Sequence, residues 1–222
     1  EGAALVLKAN NRWYGSQGLQ HRGTWKFGSL EAANQLVYGI RVHEDWVDRF
    51  QWRDAYRIQS GRMELQDQGV PGSAGNRIDG ARALAGFVRA TLRKGRWTLT
   101  PGLRTEQMEF RRSEFGADVE RLEPAEERLN SVGVWLPGVG LTYERSNQDH
   151  LFLGVHRGFI PPGSAPLTLP ETSVNAELGY RWSRAHSGGQ VVVFHTAYDR
   201  LLGSDLTASG GTGSGDLFNG GS

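Results

Sequence analysis

The chain contains no cysteine, and it contains no continuous apolar run long enough for a membrane helix. The first absence excludes a disulfide framework and a thiolate metal site, although it does not fix the compartment. The second excludes a transmembrane helix, which needs about 20 consecutive apolar residues. The formal net charge of +1 over 222 residues also lacks the basic footprint by which nucleic-acid-binding proteins are recognised.

What the chain does contain is a repeated alternation of apolar and polar side chains with a period of two. In the clearest segment, residues 174–182, Leu178 and Tyr180 share one face while Glu177 and Arg181 share the other. Seven further segments alternate, and together with residues 174–182 they predict about eight strands between Gly18 and Leu202. They are 24–27, 36–43, 80–93, 97–106, 138–144, 151–157 and 190–202.

The predicted connections alternate in length. Short ones fall at 28–33, 94–96, 146–149 and 184–189, and long ones at 59–79, 113–131, 158–172 and from 203 onward. This asymmetry is typical of a transmembrane β-barrel with short periplasmic turns and long extracellular loops. A barrel strand needs only about 9–11 residues with half of them facing lipid, so a mean hydropathy of −0.48 is compatible with it.

Aromatic residues flank the short connections and predict an interfacial girdle. They are Trp25, Phe27, Tyr38, Trp97, Tyr143, Phe152, Tyr180, Trp182 and Phe194. Of these, Trp97, Tyr143, Tyr180 and Trp182 are expected at one end of the sheet, on its lipid side. The alternative is ordinary packing of aromatics in the hairpins of a soluble sheet.

Six segments then carry a resemblance when they are taken in order. They are KANNRWYGSQGLQ, YGIRVHEDWVDRFQW, WTLTPGLRTE, LPGVGLTYE, GVHRGFIPPG and ETSVNAELGYRW, which begin at Lys8, Tyr38, Trp97, Leu136, Gly154 and Glu171. In this order and spacing they resemble the barrel of TonB-dependent outer-membrane receptors, and among these the ferric citrate receptors.

The resemblance implies an all-β, antiparallel, up-and-down transmembrane barrel of 22 strands around a plug domain. Since the chain matches neither the plug nor a final aromatic strand, residues 1–222 are expected to be a middle-to-late part of the barrel, with about eight strands. The chain shows no export signal, so the signal has been removed or the chain is an internal piece. Eight strands of so large a barrel would leave two sheet edges unpaired.

The implied function is energy-coupled uptake of a ferric chelate, such as ferric citrate or a ferric siderophore, across the bacterial outer membrane into the periplasm. The implied partners are the chelate, outer-membrane lipid, and the TonB complex acting through the plug. No cofactor and no nucleic acid are expected.

The candidate ligand-binding residues are expected at the lumen mouth, where Arg41, Arg104 and Arg157 present guanidinium groups that suit an anionic chelate. His43 and His156 are added as neighbours. The alternative is that these arginines pair with carboxylates of neighbouring strands, and the lumen side is expected to hold Arg41, Arg104, Glu106, Glu144, Glu177 and Arg181. A metal site built from His43, His156 and His195 is considered, but the spacing favours isolated hydrogen-bonding residues, and no metal site is predicted.

Other classes have less support. The chain has no G-x-S-x-G nucleophile elbow and no histidine pair at helical metal-binding spacing, so no catalytic residue is assigned. An outer-membrane hydrolase, and a soluble β-barrel or sandwich that binds a sugar or lipid, remain as alternatives. The segment SGGTGSGDLFNGGS has a calcium-repeat-like and a phosphate-loop-like pattern, but neither is complete, and a flexible surface loop is expected.

Overall fold

The structure is a computed structural model, and it describes residues 4–28, 33–205 and 215–220. Within these residues the regular structure consists of β-strands. The strands are β1 Ala4–Ala9, β2 Arg12–Phe27, β3 Asn34–Gln59, β4 Arg62–Asp67, β5 Gly75–Lys94, β6 Trp97–Glu114, β7 Glu126–Ser146, β8 Asp149–Ile160, β9 Glu171–Ser183, β10 Gly188–Asp199, β11 Leu202–Ser204 and β12 Leu217–Asn219. In the same part of the chain, no helix is long and apolar enough to cross a membrane.

All strands except β11 and β12 belong to one antiparallel sheet with the order β1-β3-β5-β6-β7-β8-β9-β10. β2 also pairs with β3 and continues the register of β1, because Ala9 faces Trp52 and Arg12 faces Arg49. On its other edge, β3 pairs with β4 and then β5. The sheet therefore has eight positions joined as sequential hairpins, which confirms the predicted strand number and connectivity.

One face of the sheet, named here the apolar face, carries continuous rows of aliphatic side chains. One row crosses six strands in register and consists of Leu92, Leu99, Leu141, Leu153, Leu178 and Val193. The apolar band ends at the row of Leu19, Val42 and Leu84, and the next row is Gln17, Glu44, Arg82 and Glu109. From Lys94 to Leu84 the band covers about 10 residues, which matches the bilayer requirement for a tilted strand.

The opposite face, named here the polar face, carries the charged residues of the same strands. Arg41, Arg104, Glu106, Glu144, Glu177 and Arg181 all share it, as the alternation predicts. A small core of Met108, Val132 and Val134 also lies on this face, where Phe110 and Leu136 pack against it.

The aromatic girdle is confirmed for its central members. Trp97 faces Tyr143 across β6 and β7 with ring centroids 4.6 Å apart, and Tyr180 stacks on Trp182 at 5.8 Å, all on the apolar face beside the short turns. The prediction is wrong for Phe152 and Phe194, which do not lie on the face of the girdle. They pair with Gly179 and Glu177 and so lie on the polar face, because each is one residue out of phase with the girdle.

The strands are longer than predicted, and several predicted loops are largely sheet. β3 continues to Gln59, and β4 begins after a two-residue turn at Ser60 and Gly61, whose φ values are 51° and 74°. Two positive φ values are the signature of a type I′ hairpin turn. The predicted loop at 59–79 is therefore mostly a hairpin, since polar residues beyond a membrane still form ladder hydrogen bonds.

Two long connections remain, and they pack on opposite faces. Residues 115–125, named here the outer loop, follow β6 and pack on the apolar-face side beyond the apolar band, against Asn76 and Phe50. Residues 161–170, named here the inner loop, follow β8 and pack on the polar face against Asn130. In the predicted turn at 28–33, residues 29–32 lie outside the described residues, as do residues 209–214 and 221–222 of the glycine-rich segment.

A candidate anion-binding site on the polar face

The candidate binding residues taken from the sequence are dispersed over the sheet. Arg41 and His43 lie on β3 opposite Ala85 and Ala83. Arg104 lies on β6, and His156 lies on β8 opposite Gly138. All four are on the polar face, as predicted, but they do not form one site.

Arg157 and His195 do not lie on the face of the sheet that the alternation was taken to predict for them. Arg157 follows Val155 by two residues and faces Val174, and His195 faces Ala176, so both lie on the apolar face. The alternation was misread by one residue at these two positions. The guanidinium nitrogen Nη2 of Arg157 lies 3.4 Å from Oγ1 of Thr172, at the beginning of β9.

Existing contacts already engage two of the predicted residues. Arg104 donates from Nε to Glu106 Oε1 at 2.6 Å, so the pairing alternative holds here, although along one strand and not across two. His43 Nε2 lies 3.1 Å from an Asp45 carboxylate oxygen and 3.2 Å from Ser16 Oγ. Three candidates, Arg104, His156 and Arg157, contribute to the lining of one shallow groove, which also includes the glycines Gly102, Gly138, Gly140 and Gly154.

A denser group of arginines lies on the polar face beyond the apolar band. It consists of Arg49 on β3, Arg77 on β5, Arg112 on β6 and Arg128 on β7. The register places Arg49 opposite Arg77, and Arg112 opposite Arg128. Like charges at directly opposed positions repel, so this arrangement requires anions between the side chains.

Asp79 supplies one of these anions. Its carboxylate lies 2.5 Å from Arg112 Nε, 3.1 Å from Arg77 Nε and 3.7 Å from Arg49 Nε. Arg77 also lies 3.3 Å from Glu114. Three guanidinium groups thus share the carboxylate of Asp79.

Arg49 is the least satisfied member. Its Nε is buried and forms no hydrogen bond to any of the described residues, since 3.7 Å from Asp79 is an ion-pair distance and too long for a hydrogen bond. Burial, and then the charge of Arg77, lower the pKa of Arg49 below its ordinary value. A guanidinium still remains charged at every physiological pH, so the site favours an additional anion.

Arg128 is the best satisfied member. It donates from Nε to Glu126 Oε1 at 2.7 Å, and it also binds the carboxylate of Asp216. These bonds, to Glu126 first and then Asp216, raise the pKa of Arg128 above its ordinary value.

A cavity of about 580 Å³ opens beside this group. Its lining on the polar face includes Tyr14, Ser16, Arg49, Phe110, Arg112 and Ser164. Ser164 belongs to the inner loop, which therefore forms one wall. The cavity offers guanidinium groups, hydroxyl groups and an aromatic surface, a combination suited to a carboxylate-bearing ligand with some apolar area.

Sequence reasoning missed this group because it placed residues 77 and 128 in loops and ended the predicted strands before residues 49 and 112. If the alternation of side chains had been extended along each strand beyond the apolar band, it would have placed all four arginines on the polar face. Among the described residues, no group of three or more His, Asp or Glu side chains is arranged to hold a metal ion.

Residues 3–222 match the family described as TonB dependent receptor-like, beta-barrel. The chain belongs to this family. The apolar face is accordingly the outer, lipid-facing surface of its barrel, and the polar face is the lumen side. Proteins of this family reside in the bacterial outer membrane.

Solved structures share the fold. The ferric citrate transporter FecA in its unliganded form matches with a TM-score of 0.71 and 19% identity, over 93% of this chain and 30% of that chain. The ferric-catecholate import receptor Fiu from E. coli K12 matches with a TM-score of 0.69 and 10% identity, over 95% of this chain and 34% of that one. The siderophore receptor PiuA from Acinetobacter baumannii matches with a TM-score of 0.69 and 11% identity, over 94% and 34%.

The chain thus spans about a third of the length of these receptors. The comparison with curated proteins found no match.

Proposed function

We propose that the chain forms part of the barrel wall of an outer-membrane receptor that imports an anionic ferric chelate, such as ferric citrate or a carboxylate siderophore complex. The observation that carries the proposal is the group of Arg49, Arg77 and Arg112 beside an open cavity on the lumen face of a barrel of this family. The proposal moves the binding residues outward from Arg41, Arg104 and His156.

The chemistry of the arginine group matches such a ligand. Guanidinium groups bind carboxylates through paired, charge-assisted hydrogen bonds, and they bind without removing the metal from the chelate. Arg49 Nε lacks a hydrogen-bond acceptor among the described residues, so a ligand carboxylate would gain a bond there without breaking one.

The energy coupling and the remaining architecture belong to the same proposal. β10 and the β1–β2 edge each have one side unpaired within the described residues, and we infer that further barrel strands pair there. A plug that fills the lumen and connects to the TonB complex would drive release of the chelate into the periplasm.

The two alternative classes have less support. A soluble barrel or sandwich would cover its apolar rows with a second layer, whereas Leu99, Leu153, Leu178 and Val193 are exposed in the described part of the chain. The structures that match are receptors and transporters and not enzymes, which agrees with a non-enzymatic role at the level of the family.

The test is iron uptake in a strain that lacks its own receptor and expresses the receptor containing this chain. The strain is grown with ferric citrate or with an uncharged ferric chelate as the iron source. We expect Arg49→Gln to lower ferric citrate uptake by about tenfold, because one charge-assisted bond contributes about 1.5–3 kcal/mol.

Arg82→Gln is the matched control, because Arg82 lies on β5 but on the opposite face, paired with Glu44 at 2.8 Å. Heat-modifiable gel mobility verifies that each barrel is intact. Equal loss of the charged and uncharged chelates in Arg49→Gln, or no loss of either, would contradict the proposed site.

A further inference from the structure

The strands β11 and β12 form a separate antiparallel ribbon in which Leu202 pairs with Asn219 and Ser204 with Leu217. The ribbon is bonded to the inner loop and also to the large sheet, where Leu202 N donates to Glu171 Oε2 at 2.8 Å. Asn219 accepts a hydrogen bond from Leu169 N at 2.9 Å and donates to Leu169 O at 3.0 Å, and Thr168 donates to Leu217 O at 3.2 Å. The ribbon and the inner loop therefore form one unit above the polar face.

Asp216 immediately precedes β12 and joins this unit to the arginine group. One carboxylate oxygen, Oδ1, lies 2.7 Å from Arg112 Nη1, and the other, Oδ2, binds Arg128. Arg112 and Arg128 are directly opposed on β6 and β7, so their charges repel unless an anion lies between them. Asp216 is such an anion.

The bonds of Asp216 lie in a partly desolvated place. The side chains of Arg112 and Arg128 are 13% and 23% exposed, and that of Asp216 is 21% exposed. Charge-assisted hydrogen bonds are stronger there than at an open surface. A carboxylate of a ligand in the adjacent cavity, which Arg112 also lines, would form the same bonds with the same two guanidinium groups.

We propose that Asp216 is an internal competitor, a carboxylate that occupies the Arg112–Arg128 pair in the ligand-free chain and that a carboxylate of the incoming ligand displaces. The inference rests on the proposed anion-receptor function and adds a regulation to it. Displacement breaks the bonds of Asp216 to Arg112 and Arg128 and leaves the bonds of the ribbon to the inner loop. The end of the ribbon at Asp216 would then move away from β6 and β7, while Asn130 still holds the inner loop on β7.

The experiment measures citrate binding by calorimetry on the detergent-solubilised receptor containing this chain. Asp216→Asn removes the competing charge while it keeps the size of the side chain. We expect it to bind citrate about tenfold more tightly than the natural sequence, because the ligand no longer has to break two charge-assisted bonds. Asp216→Ser, measured in parallel, should show the same direction.

Glu127→Gln is the matched control, because it makes the same change in net charge at the same end of the sheet but on the apolar face, where Glu127 pairs with Arg111. Its citrate affinity should equal that of the natural sequence. Hydrogen exchange at Leu217, Phe218 and Asn219 gives a second readout: citrate should speed exchange in the natural sequence, and Asp216→Asn should exchange rapidly without it.

The outcomes separate the two proposals. Equal citrate affinity of the natural sequence and Asp216→Asn, with unchanged exchange, overturns the competitor while the anion site stands. Absence of citrate binding in all variants overturns the anion-receptor function, and the competitor is overturned with it. Weaker binding by Asp216→Asn would instead make Asp216 part of the binding site, which also contradicts the proposal.

Discussion

The outer and inner loops are anchored by the same device and yet lie on opposite faces of one sheet. Asn76, which is 3% exposed, donates from Nδ2 to Gly116 O and Asp118 O at 3.1 and 2.7 Å. Asn130, 7% exposed, donates to Gly163 O and Thr168 O at 3.1 and 2.9 Å. Each loop is thus fastened by one buried amide that satisfies two loop carbonyl groups.

Charge distinguishes the two loops. The outer loop contributes Arg121, which binds both Asp48 carboxylate oxygens at 2.8 and 2.9 Å and Asn76 at 2.6 Å, and whose guanidinium lies 4.7 Å from the Phe50 ring centre. The inner loop, PPGSAPLTLP, has no ionisable side chain and contains four prolines. Its remaining bonds are to the neutral groups of β12.

The difference suits the two locations. A loop on the outside, distant from the arginine group, can be held by ion pairs without interfering with ligand binding. A loop beside the arginine group would bring competing charges if it carried them, and its stiffness comes instead from proline, which restricts the backbone. The competing charge at the site, Asp216, lies on the ribbon.

The largest effect is expected from Arg121→Ala. This change leaves the Asp48 carboxylate and the Asn76 carbonyl oxygen, Oδ1, without the donor Arg121, and we expect it to lower the free energy of local opening of the outer loop by about 3 kcal/mol. Hydrogen exchange of residues 115–122 measures it. Arg111→Ala is the control, with an expected change under about 1 kcal/mol for an exposed pair, and equal effects of the two changes would contradict this account.

The next largest effects are expected from substitution of the two asparagines that anchor the outer and inner loops. Asn76→Ala and Asn130→Ala should each loosen their own loop by about 2 kcal/mol, because each removes two hydrogen bonds to loop carbonyl groups. Only Asn130→Ala should also change citrate affinity, since only the inner loop borders the cavity. Hydrogen exchange and calorimetry on the same samples test both statements, and altered citrate affinity in Asn76→Ala would remove the functional distinction.

A smaller effect is expected from acidic pH, which should destabilise the outer loop more than the inner loop. Burial works to raise the pKa of Asp118 in the outer loop, but hydrogen bonds from backbone N–H groups, that of Leu122 first, outweigh it and hold the pKa below its ordinary value of 3.8. A carboxyl group with a lowered folded-state pKa stabilises above its unfolded pKa, and the stabilisation is lost as the pH falls through the folded value.

We therefore expect the outer loop to lose protection below about pH 4, while the inner loop, which has no ionisable group, changes less. Exchange rates at each pH, corrected for the intrinsic chemistry of exchange, provide the measurement. Asp118→Asn should abolish the difference between the two loops. An inner loop that loosens first would contradict the expectation.

The smallest effect concerns a backbone feature that both loops share. Arg121 and Leu167 both have positive φ values, 56° and 64°, which disfavour any residue except glycine. Leu167 is 93% exposed and gains no burial in return, so Leu167→Gly should stabilise the inner loop by up to about 1 kcal/mol. Arg121→Gly should destabilise the outer loop because its contacts are lost. Thermal unfolding and hydrogen exchange of both variants test the opposite signs.

Particular residues show where sequence reasoning succeeded and failed. Leu178 and Glu177 were placed on the correct faces, because successive side chains of any strand point to opposite sides. Arg157 was assigned to the wrong face, because the same alternation was counted one residue out of phase at that position. The hairpin turn at Ser60 and Gly61 was missed because the flanking strands lie outside the bilayer and lack the apolar alternation used to find them.

The sequence by itself determined the strands, their two faces, the aromatic girdle and the family resemblance, since each depends on residues adjacent in the chain or on motifs. Only the tertiary structure decided that the two loops lie on opposite faces, that Arg112 and Arg128 are opposed, and that Asp216 lies between them. Asn76 binds residues 40 and 42 positions away, and Asp216 binds residues 104 and 88 positions away. No local pattern encodes such contacts, because they depend on sheet register and on how each loop satisfies its buried polar groups.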